Sequence, residues 1–353
     1  MTGRRFGAVH WSVLAVAAAC ARGDAPRTAA AAGPLAYVTN EVSFDLTVIA
    51  TANDSVVATI PLGARARGVR VSPDGRFVYV ALSGSPRCPP TMPDEECAKL
   101  PVDKSKDGIA QIDVATRTVI RTLPGGSDPE QFDLSPDGTR LYVSNEDVGV
   151  ASILDLTSGQ LVATVPVGTE PEGVAVSPDG RSVYVTAETD HVVTALDAGT
   201  GKELARITVG RRPRDLAFSP DGSRLYVSAE VDGTVSVIDL PEHRAVTVIS
   251  LPEGARPMGV RVSPDGKRVY VAAGRGGTVE VIDAATNTIV GSVKVGTRPW
   301  GIALTPDGKK LYAANGPSND VSVVDAGTLR VIATVPVGKS PWGVAIASGG
   351  DNR

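Results

Sequence analysis

Ligands for metals and cofactors are scarce in this sequence. Only three of its 353 residues are histidine and three are cysteine, and the histidines (His10, His191 and His243) lie too far apart along the chain to predict a zinc site. The Cys-x-x-Cys-His haem signature, the Gly-x-Ser-x-Gly nucleophile elbow and a glycine loop for phosphate are all missing from the sequence. We therefore expect no metal and no cofactor.

Aromatic residues and excess charge are scarce too. Aromatics make up 4% of the chain, whereas glycine and proline number 38 and 26, a balance that favours short strands and turns over a helical core. The formal net charge is −4, so the chain has no general attraction to a phosphate backbone. Nucleic acid is therefore an unfavoured partner.

Residues 1–20 have the pattern of an export signal. Two arginines precede an apolar run that ends at Cys20 and is too short to anchor the chain across a bilayer. Residues 16–20 resemble a bacterial lipobox, which predicts lipidation of Cys20 and membrane contact through that lipid only. Ala17 stands where a lipobox prefers a larger aliphatic residue, so simple cleavage and secretion stay open. Residues 21–34 are an alanine-rich tether, and we expect a periplasmic or cell-surface location.

Export gives a meaning to the two remaining cysteines. Cys88 and Cys97 would lie in an oxidising compartment, where a disulfide is favoured over two free thiols. We expect the pair to be bonded.

A repeat dominates the rest of the chain. Its aspartates, at positions 74, 137, 179, 221, 265 and 307, are separated by 63, 42, 42, 44 and 42 residues. One unit is therefore about 42 residues long, and one unit carries an insertion of 21. The repeated tetrapeptide is Ser-Pro-Asp-Gly or, once, Thr-Pro-Asp-Gly: Ser72–Gly75, Ser135–Gly138, Ser177–Gly180, Ser219–Gly222, Ser263–Gly266 and Thr305–Gly308.

Each unit contains four strand-like segments, A to D. In the fourth unit they are 173–177, 183–186, 192–196 and 204–208, with period-two alternation in segment A and a proline–glycine turn between A and B. Four antiparallel strands every 40-odd residues predict a propeller blade, because a lone sheet must bury both faces against neighbours. Turn formation accounts for the repeated aspartates without any chemistry.

The copy number predicts seven blades. The strand B motif occurs seven times, from Tyr37 to Tyr312, and the seventh strand A is Gly343–Ala347. Since the chain begins at a strand B and ends at a strand A, one blade must join both ends and close the ring. We predict an all-β, seven-bladed propeller over residues 35–348, with four antiparallel strands per blade.

The repeats resemble those of YVTN-repeat, YncE-like propellers. The resemblance rests on Tyr37–Asn40, the recurring Val-Ile-Asp at 237–239 and 281–283, and Val335–Gly338, and it covers residues 35–347. It implies the fold strongly and the function weakly. That family includes envelope proteins without known chemistry and members linked to single-stranded DNA, and it is more distantly similar to propellers with lactonase or lyase activity.

One residue per blade is expected to face the central channel. The loop before each strand A carries the pattern x-Pro-x-Gly, and its stiff proline aims the following residue at the channel mouth. Blades 2 and 3 are degenerate, with Ala66 for the proline and Gln131 for the glycine. The seven ring residues are Arg67, Glu130, Glu172, Arg214, Met258, Trp300 and Trp342.

These seven residues divide into two arcs. Met258, Trp300 and Trp342 are apolar and adjacent, and the other four are two carboxylates between two guanidinium groups. An apolar wall facing a few polar groups is typical of a small-ligand site. The alternative is that the tryptophans pack between blades and the charges pair in water.

The insertion emerges on the same face as the ring. It occupies residues 83–108, between strands B and C of the blade that carries Arg67. A Cys88–Cys97 bond would make it a stiffened flap, and an ornamental surface loop is the alternative. His191, in another B–C loop, is expected to be solvated rather than catalytic.

Three functions are compatible with this pattern. The first is a monomeric envelope scaffold that binds an unknown small molecule or envelope protein at the mouth. The second is a lactonase or lyase in which Glu130 or Glu172 is the base and Arg67 or Arg214 stabilises an oxyanion. The third, binding of single-stranded nucleic acid, would use Arg211, Arg212, Arg214, Arg256 and Trp300. The sequence favours the first.

Overall fold

The computed structural model describes residues 1–3, 33–88, 92–97, 99–240 and 242–347. Cys20 and the rest of the expected export signal and tether lie almost wholly outside the described residues. The strands all belong to one compact unit, Gly33–Arg353.

Twenty-eight strands are present in the described residues. In chain order they are β1 (Leu35–Asn40), β2 (Asp45–Ala50), β3 (Ser55–Pro61), β4 (Arg65–Val71), β5 (Phe77–Ser83), β6 (Gly108–Asp113), β7 (Thr118–Leu123), β8 (Pro129–Leu134), β9 (Arg140–Asn145), β10 (Val150–Asp155), β11 (Gln160–Pro166), β12 (Pro171–Val176), β13 (Ser182–Ala187), β14 (Val192–Asp197), β15 (Glu203–Thr208), β16 (Pro213–Phe218), β17 (Arg224–Ala229), β18 (Thr234–Asp239), β19 (Arg244–Ser250), β20 (Pro257–Val262), β21 (Arg268–Ala273), β22 (Thr278–Asp283), β23 (Thr288–Lys294), β24 (Pro299–Leu304), β25 (Lys310–Asn315), β26 (Asp320–Asp325), β27 (Arg330–Pro336) and β28 (Pro341–Ile346). The insertion adds a helical turn α1 (Asp94–Cys97) and a 3-10 turn (Lys104–Lys106), and a second 3-10 turn spans Glu146–Val148.

The strands form seven antiparallel four-stranded sheets. Blades 2 to 7 are β4–β7, β8–β11, β12–β15, β16–β19, β20–β23 and β24–β27, and blade 1 has the order β28-β1-β2-β3. The A strands of neighbouring blades contact each other around the channel. In blade 1, β28 pairs with β1 so that Tyr37 lies opposite Ala345. The predicted seven-bladed propeller, closed by the C-terminal strand, is confirmed.

The apolar core lies between the blades rather than within them. Seven clusters of buried side chains are present, and each joins two adjacent blades. The tyrosine of each B strand belongs to this layer, and Tyr142, for example, is only 2% exposed. Its hydroxyl donates to the Ala198 carbonyl of the next blade at 2.8 Å, and Arg140 Nη1 donates to the same carbonyl at 3.1 Å. Each blade therefore depends on its neighbours for burial and for polar partners.

The Ser-Pro-Asp-Gly turns are self-contained. In blade 5 the Ser219 hydroxyl donates to Asp221 Oδ1 at 2.5 Å, and the backbone N–H of Ser223 donates to the same oxygen at 3.0 Å. Gly222 takes a φ of +71°, which glycine adopts without strain. The hydrogen bonds lower the pKa of Asp221 to about 2. The repeated aspartates thus stabilise turns.

Removing the closing strand is expected to open the ring. Deleting residues 343–353 leaves only two residues of β28 and exposes the edge of β1 along with the apolar surface that Val344, 3% exposed, covers. We expect aggregation, or a melting temperature at least ~10 °C lower. Size-exclusion chromatography and calorimetry measure this, with deletion of 348–353 as the control. A monomeric 343–353 deletion with an unchanged melting temperature would contradict the closure argument.

Candidate functional site

The ring residues lie inside the A strands, not in the loops before them as the sequence pattern predicted. Pro171 begins β12, where its missing N–H breaks no essential pairing, and Glu172 follows as the second residue. The register shifts between Pro171 and Val174, so that Glu172 and Gly173 together lie opposite Thr186. This β-bulge recurs between strands A and B of all seven blades. Bulges re-aim side chains, and this one sets the direction of the ring residue.

Hydroxyl groups in four blades and glycines in five fix the bulge against the next blade. The N–H of Gly173 donates to Thr186 Oγ1 at 2.7 Å, and Ser144 Oγ of the preceding blade donates to the Glu172 carbonyl at 2.5 Å. A Cβ atom at Gly173 would lie 2.5 Å from the Arg214 carbonyl. Gly173 is therefore required for the close approach of its blade to the next one, and the ring position of Glu172 is rigid.

The seven ring residues fill the channel rather than surround an open mouth. Glu130 is 1% exposed and Arg67 is 6% exposed. The cavity left at this level is about 30 Å³, which is room for about one water molecule. Five ring residues line it: Glu172, Arg214, Met258, Trp300 and Trp342. A ligand larger than a water molecule can therefore reach the ring residues only from the end of the channel where the loops between strands B and C lie.

The apolar arc is a stacked tryptophan pair. The ring centroids of Trp300 and Trp342 are 6.1 Å apart with an interplanar angle of 32°. The guanidinium of Arg298 lies 5.0 Å from the Trp300 ring centroid, and that of Arg67 lies 5.6 Å from Trp342, distances at which a cation and an aromatic face attract. A Cβ atom at Gly316 would lie 3.5 Å from Trp300 Nε1. Because glycine has no side chain, no such atom contacts the indole at this position.

A second ring of carboxylates was missed by the sequence reasoning. It occupies the position directly after each strand B, on the same face as the first ring. The sequence contains this second ring, because the position recurs in every repeat. It was missed because only the loops before strand A were expected to carry ring residues. The acidic members are Glu41, Glu146, Glu188 and Glu230, and glycine takes the position in the other three blades, as Gly84, Gly274 and Gly316.

Arg214 holds three carboxylates together. It forms ion pairs with Glu172, with Glu188 at 2.6 Å and with Glu230 at 2.8 Å. Arg212 lies over the same group, paired with Glu188 and 3.7 Å from Glu230, with its side chain 45% exposed. We call these five residues the Arg214 cluster. Glu172 therefore meets Glu188, and not Glu130, the other base that the sequence offered.

The cluster separates the pKa values of its two central carboxyl groups. Burial and the charge of Glu172 raise the pKa of Glu188 to about 8. Burial also acts to raise the pKa of Glu172, but the charges of Arg214 and Arg67 outweigh it and lower that pKa below its usual range. At neutral pH Glu188 carries a proton and Glu172 is ionised. Two neighbouring carboxyl groups in different protonation states are the usual arrangement of an acid–base pair.

A second cluster surrounds Arg67. Arg67 pairs with Glu130 and Glu146, the latter at 2.9 Å, and lies 4.0 Å from Glu41. Burial raises the pKa of Glu146, and the charge of Arg67 opposes that rise. Arg65 adds a further pair with Glu41 at 3.0 Å. Glu130 lies beneath these groups and is 1% exposed. It is less accessible than Glu188, whose partner Arg212 is exposed.

The insertion is fastened to the ring face. A disulfide joins Cys88 and Cys97, whose Cα atoms are 5.7 Å apart. Arg87 pairs with Glu41 at 3.3 Å, and Lys104 pairs with Asp147 of the third blade. The insertion therefore bridges blades 1 to 3 on the side of the Arg67 cluster and leaves the Arg214 side uncovered by these contacts.

The proposed nucleic-acid patch is largely neutralised. Arg211 pairs with Asp232 at 2.7 Å, and Arg212 and Arg214 are engaged by glutamates as described above. His191 lies beside the cluster, with Nδ1 2.8 Å from the Glu188 carbonyl oxygen. It is partly buried there rather than fully solvated.

Neither a metal site nor a membrane-spanning helix is found among the described residues. No group of three or more histidine, cysteine or acidic side chains in them is arranged to hold a metal ion. No helix in them has the length and hydropathy needed to cross a bilayer.

Comparison with known proteins assigns the family. The family described as "Lactonase, 7-bladed beta-propeller" matches residues 12–177 and 168–342. The chain belongs to this lactonase propeller family. No curated protein matches it in sequence.

Solved structures share the fold at low sequence identity. A protein of unknown function from Desulfotomaculum acetoxidans DSM 771 has a TM-score of 0.74 at 18% identity, covering 89% of this chain and 99% of its own. A protein of Bacteroides uniformis ATCC 8492, provisionally named a 6-phosphogluconolactonase, has a TM-score of 0.72 at 20% identity, with coverages of 89% and 99%. Hydrazine synthase of Kuenenia stuttgartiensis has a TM-score of 0.68 at 23% identity, with coverages of 81% and 90%. At these identities the likeness is one of fold.

The protonated Glu188 predicts that the stability of this protein depends on pH. The folded protein holds this proton up to about pH 8, whereas an unfolded chain releases it near pH ~4.3. Wild type should therefore lose stability relative to Glu188→Gln as the pH rises from 5 to 8, by roughly 2–4 kcal/mol, and the gap should level off at higher pH. Urea denaturation at several pH values measures it.

Glu203→Gln is the matched control, since Glu203 is an exposed strand residue in a single surface ion pair. It should change stability by less than about 0.5 kcal/mol at every pH. A wild-type to Glu188→Gln difference that stays constant from pH 5 to 9 would show that Glu188 is ionised in the folded state.

Proposed function

We propose that this protein is a lactonase-type hydrolase that opens an acidic lactone on the ring face, beside the Arg214 cluster. The observation that carries the proposal is the pairing of an ionised Glu172 with a protonated Glu188 between two arginines. Membership of the lactonase propeller family supports the reaction class. The names of two structural relatives, both provisionally 6-phosphogluconolactonases, support a lactone that bears an anionic group.

Lactone hydrolysis needs a base, an acid and a positive group near the carbonyl oxygen. Glu172 lines the 30 Å³ cavity, where it can take a proton from a water molecule as that water attacks the ester carbon. The exposed guanidinium of Arg212 can stabilise the oxyanion. The acyl carbon–ring oxygen bond then breaks, and Glu188 gives its proton to the departing alkoxide. The reaction leaves Glu172 protonated and Glu188 ionised, and one proton transfer resets the pair.

Three further arginines favour an acidic substrate. Arg256, Arg275 and Arg298 form no ion pair with any described residue. Arg256 and Arg298 lie two residues before the ring positions Met258 and Trp300, and Arg275 directly follows Gly274 of the second ring. Burial lowers the pKa of Arg298, the charge of Glu230 opposes that effect, and the nearby charges of Arg214, Arg87 and Arg275 lower the pKa further. A bound anion stabilises cationic groups that repel one another. Arg298 lies over Trp300, which can stack against the substrate body.

An envelope binding scaffold is the second candidate. The observation that favours it is that the carboxylates of both clusters already have arginine partners, so the ring is stable without any substrate. Under this alternative the same face binds an acidic ligand and leaves it unchanged. Nucleic-acid binding has no comparable support, because Arg211, Arg212 and Arg214 of its patch are paired with carboxylates.

Activity measurements distinguish the candidates. Wild type should hydrolyse 6-phosphogluconolactone in a pH-stat assay, and Glu172→Gln or Glu188→Gln should lower kcat by about 10²–10⁴-fold. Arg298→Gln should raise KM for the phosphorylated lactone and leave KM for neutral gluconolactone unchanged. Glu203→Gln is the control for both parameters. Ligand binding without turnover would favour the scaffold, and full activity in Glu172→Gln would contradict its role as the base.

We also propose that the protein is an exported YVTN-repeat, YncE-like member of the family, lipidated on Cys20. The repeat motifs support the subfamily, and the disulfide of the insertion is the kind of bond that persists outside the cytoplasm. Cys20 itself lies outside the described residues. Mass spectrometry of the purified native protein should find a diacylglycerol-modified Cys20 as the first residue. An unmodified start after Cys20, or an intact residue 1, would contradict lipidation.

A further inference from the structure

The end of the channel opposite the carboxylate rings is a wide funnel. It lies where the A strands end, and its volume is about 500 Å³, within the range of small-molecule sites. Apolar side chains from six blades form most of its wall, among them Val71, Ala175, Leu216, Val262, Ala303 and Ile346. The lactonase proposal uses no residue of this wall.

Two arginines form the floor of the funnel. Arg70 and Arg261 line both the funnel and the narrow 30 Å³ cavity above it, so they separate the two spaces. They occupy the same register in blades 2 and 6, within the repeated Gly-Val-Arg-Val of 68–71 and 259–262, where four other blades have alanine. Their side chains are 19% and 23% exposed. Burial lowers the pKa of Arg70, and the charge of Arg261 is close enough to lower it further.

Two aspartates accept hydrogen bonds from the arginines of the floor. Asp133 accepts from Arg70 at 3.3 Å and from the backbone N–H groups of Leu134 and Val176 at 3.0 and 2.9 Å. In the other half, Asp215 accepts from Arg261 at 2.7 Å and from two backbone N–H groups at 2.9 and 3.1 Å. Both carboxylates are thus committed to the neighbouring blade.

The two guanidinium groups keep donors in reserve. Apart from these aspartates, each makes one described bond, to the carbonyl of its own preceding residue: Val69 for Arg70 at 3.0 Å and Val260 for Arg261 at 2.6 Å. A guanidinium has five N–H donors, so several on each side chain have no described protein partner. The floor offers donors and few acceptors, beneath an apolar wall.

We propose that this funnel is a second ligand site, which binds a small carboxylic acid with an apolar body. Its carboxylate accepts hydrogen bonds from Arg70 and Arg261, and its hydrocarbon part packs on the alanines and branched residues of the wall. The proposal does not depend on the lactonase reaction, because the two sites share no proposed contact and open on opposite faces.

Calorimetric titration of the full chain with octanoate, and with octanamide as its uncharged counterpart, tests the site. Wild type should bind octanoate at least ~10-fold more tightly than octanamide, as charge-assisted bonds to arginine require. Arg261→Gln should weaken octanoate binding at least ~10-fold. Ala217→Trp, which fills the funnel from the strand-A position that Arg261 occupies in the next blade, should abolish it.

Arg181→Gln controls for general surface charge, since Arg181 is 86% exposed on a turn of the same face. It should leave octanoate affinity unchanged. If Arg261→Gln does not fold, Ala217→Trp and the octanamide comparison still decide. Equal binding of octanoate and octanamide, unchanged binding by Ala217→Trp, or no octanoate binding at millimolar concentration would overturn the proposal.

Discussion

Every blade of this protein depends on being packed between two others, and closure of the ring by β28 and β1 makes that true of the first and last blades as well. The seven apolar clusters sit between blades, so no blade has a core of its own. Hydrogen bonds follow the same rule, since the hydroxyls of Thr39 and Ser144 each reach the ring carbonyl of the next blade. Closure of the ring therefore holds the backbone of the ring residues in a close-packed position, and this limits where their side chains can lie.

That rigidity forces charged groups together in a dry place. The Arg214 cluster contains three carboxylates (Glu172, Glu188 and Glu230) and two guanidinium groups, so full ionisation would leave one uncompensated negative charge. Desolvation makes such a charge costly, and retention of one proton, on Glu188, removes it. The Arg67 cluster holds Glu41, Glu130 and Glu146 beside Arg65, Arg67 and Arg87. The insertion bridges that cluster and leaves the Arg214 side free of its contacts.

The sequence was sufficient for the fold and for half of the site. Repeat spacing alone gave the blade number, the closing strand and the seven ring positions, because these follow from a period of about 42 residues. It could not show that Glu172 is buried or that Glu188 meets it. Those contacts depend on the A–B bulge and on how narrowly seven blades close, and neither is encoded in any single repeat. The floor of Arg70 and Arg261 was equally hidden, since only closure brings blades 2 and 6 to the same cavity.

We expect Glu188 to carry a proton at neutral pH, because the Arg214 cluster would otherwise hold one excess negative charge. Infrared difference spectroscopy between wild type and Glu188→Gln, recorded as a pH titration, observes that proton directly through the carbonyl stretch of a protonated carboxyl group. We expect a band at pH 7 that is absent from Glu188→Gln and disappears with a midpoint near pH 8. A spectrum with no such band above pH 6 would contradict the account.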